Sequence, residues 1–324
     1  LFLLENLMQT LTRLLLQMSV RNCLVLTLVS ALAMASVARA EDTAKATPTE
    51  APRGQRIYSI GHSFHVFMPG ILQQIARSAG INNHQQVGLS SIGGSYVMQH
   101  WEVADDKFKS KATLESGNLD VLTMAPLFLP DEGIENFIRL ASEKSPQIRV
   151  LVQEFWLPFD SSVNFRKEKA PTPDRTVFDL KKLQEEHDKY FKEIDEHVKG
   201  LNQKYGGKPA VFVVPVGQAV LLLRQKIDEG AAPGLTKQTD LFTDPIGHAK
   251  PPLAVLVAYC YYAQIYRRSP EGLPVPPALK VGGDEETTTK LNRLLQELAW
   301  KAVTSHPLSG VEAGRVGAGG AETK

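Results

Sequence analysis

Apolar and polar positions follow two rhythms along this chain. A short apolar strand is expected at 56–60, and further strands at 86–90, 120–125, 148–153 and 210–215. Between them, apolar residues recur every three or four positions. Ile71, Leu72 and Ile75 set that spacing over 68–78, and a further helix is expected over 132–142. Over 180–205, Leu183, Tyr190, Ile194, Val198 and Leu201 fall on one face, with Lys and Glu on the other. Strands alternating with helices predict a parallel five-stranded sheet covered by helices on both faces.

Two more helices are expected beyond the fifth strand. One is the strongly apolar stretch 253–266. The other is 285–303, where Leu291, Leu294, Leu295 and Leu298 form a stripe. The Pro-rich stretch 269–278 between them reads as a surface crossing, and the Gly, Ala and charged residues after Ser309 as a disordered tail. At the other end, Arg21 precedes an apolar run and then Ala38-Arg39-Ala40, the order of a removable export signal. Met18 is the expected start and 1–17 an over-long gene reading. The uncharged run 22–37 is shorter than the ~20 residues of a membrane span, so cleavage is favoured over anchoring. The layout expected is a signal over 1–40, a tether over 41–54, a main domain over 55–270, a helical extension over 271–308 and the tail. The mature chain is expected in the periplasm or outside the cell, with no stable membrane span.

Composition narrows the partners. Thirty-six Lys and Arg stand against 35 Asp and Glu, a formal net charge of +1, so no excess charge attracts nucleic acid. Cys23 would leave with the signal, and Cys260, inside an apolar helix, then has no disulfide partner and reads as a buried thiol.

Candidate chemistry sits at strand ends, where parallel sheets collect ligands. The first strand runs into Gly61-His62-Ser63-Phe64-His65. Ser63 is either a nucleophile at the strand-to-helix turn or an N-cap that starts the helix. A serine nucleophile needs a base and an orienting carboxylate, and Thr243-Asp244-Pro245-Ile246-Gly247-His248 supplies both, with Asp240 as a second carboxylate. His62 and His65, three apart, raise a metal reading, but no Cys, Asp or Glu accompanies them at a known spacing, so neither metal nor cofactor is expected. Trp156, among Glu154, Phe155 and Asp160 after the fourth strand, is either a stacking surface for a sugar ring or a residue packed under its loop.

These blocks resemble the SGNH hydrolases, the GDSL-type esterases and lipases, over about 57–266. Gly61-His62-Ser63-Phe64 is similar to the family's nucleophile block, Ser91-Ile92-Gly93-Gly94-Ser95 to its second block, and 244–248 to its closing block. The resemblance implies a three-layer α/β/α fold with a mostly parallel, flavodoxin-like sheet. It also implies a Ser63, His248, Asp244 arrangement that hydrolyses esters, with Ser63 and Gly93 or Gly94 supplying the oxyanion hole. The residues themselves add that His62, His65 and Trp156 line the substrate site, and that Trp156 beside carboxylates suits a carbohydrate O-acyl ester. Three departures stand out: His62 replaces the usual Asp or Asn, Asp244 and His248 are spaced by four rather than three, and the Gly-x-Asn-Asp run is absent. After the third strand the chain reads Pro126-Leu127-Phe128-Leu129, so the side-chain oxyanion donor is missing and Gln153 is the expected substitute. The absent Asn also admits a weak or inactive relative that binds a glycan or cell-envelope ligand.

Overall fold

A computed structural model describes residues 51–279 and 284–313. Its strands are β1 Arg56–Gly61, β2 Gln85–Ser91, β3 Val121–Met124, β4 Arg149–Glu154 and β5 Ala210–Pro215. They form one sheet in the order β2-β1-β3-β4-β5, and every neighbouring pair is parallel. Strands β1, β3 and β4 bury nearly every side chain, which is why they read as continuous apolar runs. The edge strand β2 instead leaves alternate residues exposed, Val87 and Leu89 among them.

The described helices are α1 Met68–Ser78, α2 Val97–Glu102, α3 Asp105–Phe108, α4 Ser110–Glu115, α5 Glu132–Lys144, α6 Leu180–Lys204, α7 Val216–Asp228, α8 Pro251–Tyr266 and α9 Glu285–Ser305. The connection from β1 to β2 runs one way along the sheet, and those from β2 through β3 and β4 to β5 run the other. Right-handed crossovers therefore send α1 to one face and α2 to α6 to the opposite face. In agreement, α8 packs on α1, and α7 and α9 pack on α8, while α2 and α4 pack on α5. The result is a three-layer α/β/α fold.

Helix α8 is buried from Pro252 to Tyr266 on all sides, which explains why it is apolar without a polar face. Its outer side is covered by α9, through Leu291, Leu295, Ala299 and Val303. The expected extension is thus part of the main core. Helix α7 was not foreseen, because it leaves β5 directly at Pro215 and its first turn reads on from the strand as apolar sequence. The short helices α2 to α4 were also missed.

Both ends hold more order than the sequence suggested. Val213 N–H donates to the Leu308 carbonyl at 3.0 Å, Gln264 Nε2 donates to the Ser309 carbonyl at 2.9 Å, and Val311 is buried. So Ser309 to Val311 belong to the fold. Likewise Gly54, expected in the tether, lies against the Asn83 backbone so closely that a Cβ there would sit 2.1 Å from its carbonyl carbon. The expected signal, the tether before 51 and the tail from 314 lie outside the described residues. No described helix is long and apolar enough to cross a membrane.

Candidate active site

Strand order reverses around β1, and the crevice beyond the carboxyl ends of β1 and β3 is the switch point where α/β sheets of this order bind ligands. Ser63 lies there. The chain leaves β1 in a tight turn closed by His65 N–H and Val66 N–H, both donating to the His62 carbonyl at 2.8 and 3.1 Å. Helix α1 begins only at Met68, with Phe67 as its N-cap and no side-chain cap. Ser63 therefore does not cap the helix, and its hydroxyl is left half-buried at the crevice.

The loop before α8 meets it there. His248 Nε2 lies 2.7 Å from Ser63 Oγ, and His248 Nδ1 lies 2.5 Å from Asp244 Oδ2. A carboxylate only accepts, so Nδ1 carries the proton and the Nε2 lone pair faces the hydroxyl. The other carboxylate oxygen, Oδ1, accepts from Gly247 N–H at 2.9 Å and His248 N–H at 3.1 Å. Partial burial works to raise the Asp244 pKa, but the hydrogen bonds from His248 and Gly247 outweigh it and hold the carboxyl below its usual value. The side chains of His248 and Asp244 are 34% and 37% exposed, so the line of groups is open to a solute.

Three donors grip the backbone of this loop from below. Arg175 Nη1 donates to the Asp244 carbonyl at 2.9 Å, Phe159 N–H to the Ile246 carbonyl at 3.0 Å, and Trp156 Nε1 to the Gly247 carbonyl at 2.8 Å. Gly247 has φ +103°, in the region open to glycine, and absorbs the additional residue between Asp244 and His248. Arg175 is itself fixed by Asp160, which also pairs with Arg224 at 2.8 Å. Burial works to raise the Asp160 pKa, yet the two guanidinium groups hold it low.

Opposite, Ile92 N–H donates to the Gly61 carbonyl at 3.2 Å, which brings the turn 92–95 beside the Ser63 turn. His100 braces it, bonded to Ser90 Oγ at 2.6 Å and Ser95 Oγ at 2.7 Å. The backbone N–H groups of Ser63, Gly93 and Gly94 have no acceptor among the described residues, so they are free to meet a developing negative charge. After β3, Leu127 and Phe128 are buried and offer no polar side chain.

The other expected site residues are displaced from the crevice. Gln153 is fully buried: its Oε1 bonds to His65 Nδ1 at 2.9 Å and to Tyr261 OH at 3.1 Å, and its Nε2 donates to the Phe64 carbonyl at 3.2 Å. It supports the turn from beneath and is not placed as an oxyanion donor. His65 is also fully buried, its Nε2 3.0 Å from Thr123 Oγ1, and burial lowers its pKa to about 4. His62 is buried edge-on between Phe64 and Phe155, and burial, with His65 and His100 nearby, lowers its pKa to about 3. Trp156, 1% exposed, packs against Phe64 and presents no stacking face. The three residues expected to line the substrate site thus form its floor. Asp240 accepts from Thr236 and Lys237 N–H groups instead of His248.

Further along the segment after β4, Asn164 and Phe165, which were not singled out in the sequence, bring the chain to the turn 92–95. Asn164 Nδ2 donates to Tyr96 OH at 2.8 Å, and Phe165 packs between Phe128 and Phe159. No group of three or more potential metal ligands occurs among the described residues. A cavity of about 440 Å³ between α6, α7 and α9, lined by Leu180, Phe191, Gln218, Leu222 and Lys301, includes none of the site residues.

Fold and site together define a class: a parallel α/β protein with a hydroxyl, an imidazole and a carboxylate in hydrogen-bonded line at the switch point. No protein-family model matches the chain, and no curated protein does. A crystal structure of a DUF4886 family protein from Bacteroides uniformis is similar at 13% identity and a TM-score of 0.48, over 77% of this chain and 95% of that one.

Proposed function

We propose that this protein is an exported serine hydrolase of the SGNH type that cleaves small esters. The observation that carries the reading is the continuous line from Ser63 Oγ through His248 to Asp244. In this reading His248 Nε2 takes the hydroxyl proton as Ser63 Oγ attacks the ester carbonyl, and Asp244 stabilises the imidazolium that forms. The tetrahedral oxyanion accepts from the N–H groups of Ser63 and of Gly93 or Gly94. His248 then gives its proton to the leaving alcohol oxygen, and a water activated by the same imidazole hydrolyses the acyl-enzyme.

One donor fewer than the family pattern has a cost. Loss of an oxyanion-hole donor removes about 2.7 to 4 kcal/mol of transition-state stabilisation, so a modest turnover is expected. The carbohydrate preference rested on Trp156 as a stacking surface, and its burial withdraws that support. Hydrolysis of p-nitrophenyl acetate by the purified protein, reduced to background in Ser63→Ala, is the expected result. Full activity in Ser63→Ala overturns the proposal. Export is tested by the N-terminus of the extracytoplasmic protein, expected at Glu41; a chain kept in the cytoplasm with its leader contradicts it.

A further inference from the structure

We propose that Arg166, carried over the Gly93-Gly94 turn by the segment after β4, selects esters that bear an anionic group near the scissile bond. The inference rests on the esterase reading and adds a substrate class to it. Arg166 follows directly on two anchors: Asn164, bonded to Tyr96, and Phe165, seated between Phe128 and Phe159. Its own N–H donates to Asn164 Oδ1 at 3.1 Å. The backbone at Arg166 is thereby fixed, and its Nη1 comes within 3.8 Å of where a Cβ at Gly94 would stand. Gly94 has φ +57°, and a left-handed residue of this kind turns successive N–H groups toward one side, a shape that receives anions.

Charge pairing around this edge leaves that guanidinium free. Asp244 is held by His248, Asp160 by Arg175 and Arg224, Asp131 by the N–H groups of Val97, Met98 and Gly133, and Glu186 by Ser162. Arg166 is exposed and makes no ion pair among the described residues. An unpaired planar fork of donors at the turn that flanks the Ser63 turn fits a carboxylate or phosphate group on the substrate. Glu168, exposed two positions further on, makes no ion pair with it.

The test compares the mono-p-nitrophenyl ester of adipic acid with neutral p-nitrophenyl hexanoate, which has a similar reach. In Arg166→Gln the ratio of kcat/KM for the anionic over the neutral ester is expected to fall about three- to tenfold, chiefly through KM. The wild-type preference is expected to fade between about 50 and about 500 mM salt, as an exposed charge requires. Lys169→Gln, a neighbouring exposed cation, serves as the control. An unchanged ratio in Arg166→Gln overturns the inference, and so does an equal loss of kcat on both esters, which would make Arg166 an oxyanion donor. If the wild type cleaves neither ester, the esterase reading is what has failed. Binding of adipate monomethyl ester to Ser63→Ala, followed by NMR with and without Arg166→Gln, then decides on Arg166 alone: weaker binding in the double variant supports it, equal binding refutes it.

Discussion

One carboxylate at Asp244 accepts three hydrogen bonds, two from backbone N–H groups and one from the imidazole. Asp244→Asn keeps the shape but cannot both accept from His248 Nδ1 and hold the charge. Its kcat on p-nitrophenyl acetate is expected to fall on the order of 10³- to 10⁴-fold with little change in thermal stability. Asp240→Asn, which touches only the Thr236 and Lys237 N–H groups, is expected to stay within about twofold, and a matching loss there would contradict the assignment. The identities of Ser63, His248 and Asp244 were legible because each lies in a short block of suggestive residue types. The directions of His62, His65 and Trp156 were not. Which side of a turn faces the core depends on partners distant in sequence, such as Tyr261 and Gln153 for His65.

At the level of elements, the site depends on how the loop 243–248 is held. Trp156→Phe keeps a buried ring and removes the donor to the Gly247 carbonyl, which is expected to cost about 1 to 2 kcal/mol in urea unfolding and to lower kcat more than KM. Gly247→Ala is expected to do more damage. Its φ of +103° is unfavourable for alanine, and the new Cβ would lie 3.2 Å from Arg175 Nη2. A Gly247→Ala protein as active as wild type would show that the loop is not rigidly set. All five strands were legible in the sequence, and so were five helices with clear spacing or strong hydrophobicity. Helix α7 escaped because no turn residue separates its first turn from β5 except Pro215, which serves as the N-cap.

Across the whole molecule, buried histidines set the acid limit of stability. His62 is held down at about 3 and His65, His84, His100 and His187 at about 4, in each case mainly by burial. Between pH ~6.5 and ~4 the unfolded chain therefore binds more protons than the folded one, and stability falls as pH falls, by up to about 1.4 kcal/mol per pH unit for each group. Glu154 acts in the opposite sense. Burial pushes it up to about 8, so above its ordinary value the folded state holds a proton that the unfolded state lacks, and stability declines as pH rises toward 8. Urea midpoints are expected to peak near pH 6.5, with a steeper acid than alkaline limb; a flat profile below pH 6 would contradict this. The three-layer plan was legible because length and alternation demand it, whereas the burial of α9, Ser309 and Val311 was not. Their burial is created by α8 and β5, which need an outer cover that the sequence of α9 does not announce. Whether Ser63 is a nucleophile made reactive by His248 is decided by intact-protein mass spectrometry after exposure to a fluorophosphonate. One phosphonyl adduct, mapped to Ser63 and lost in His248→Ala, is expected; a wild-type protein that stays unlabelled, or is labelled elsewhere, would show that Ser63 is not the nucleophile.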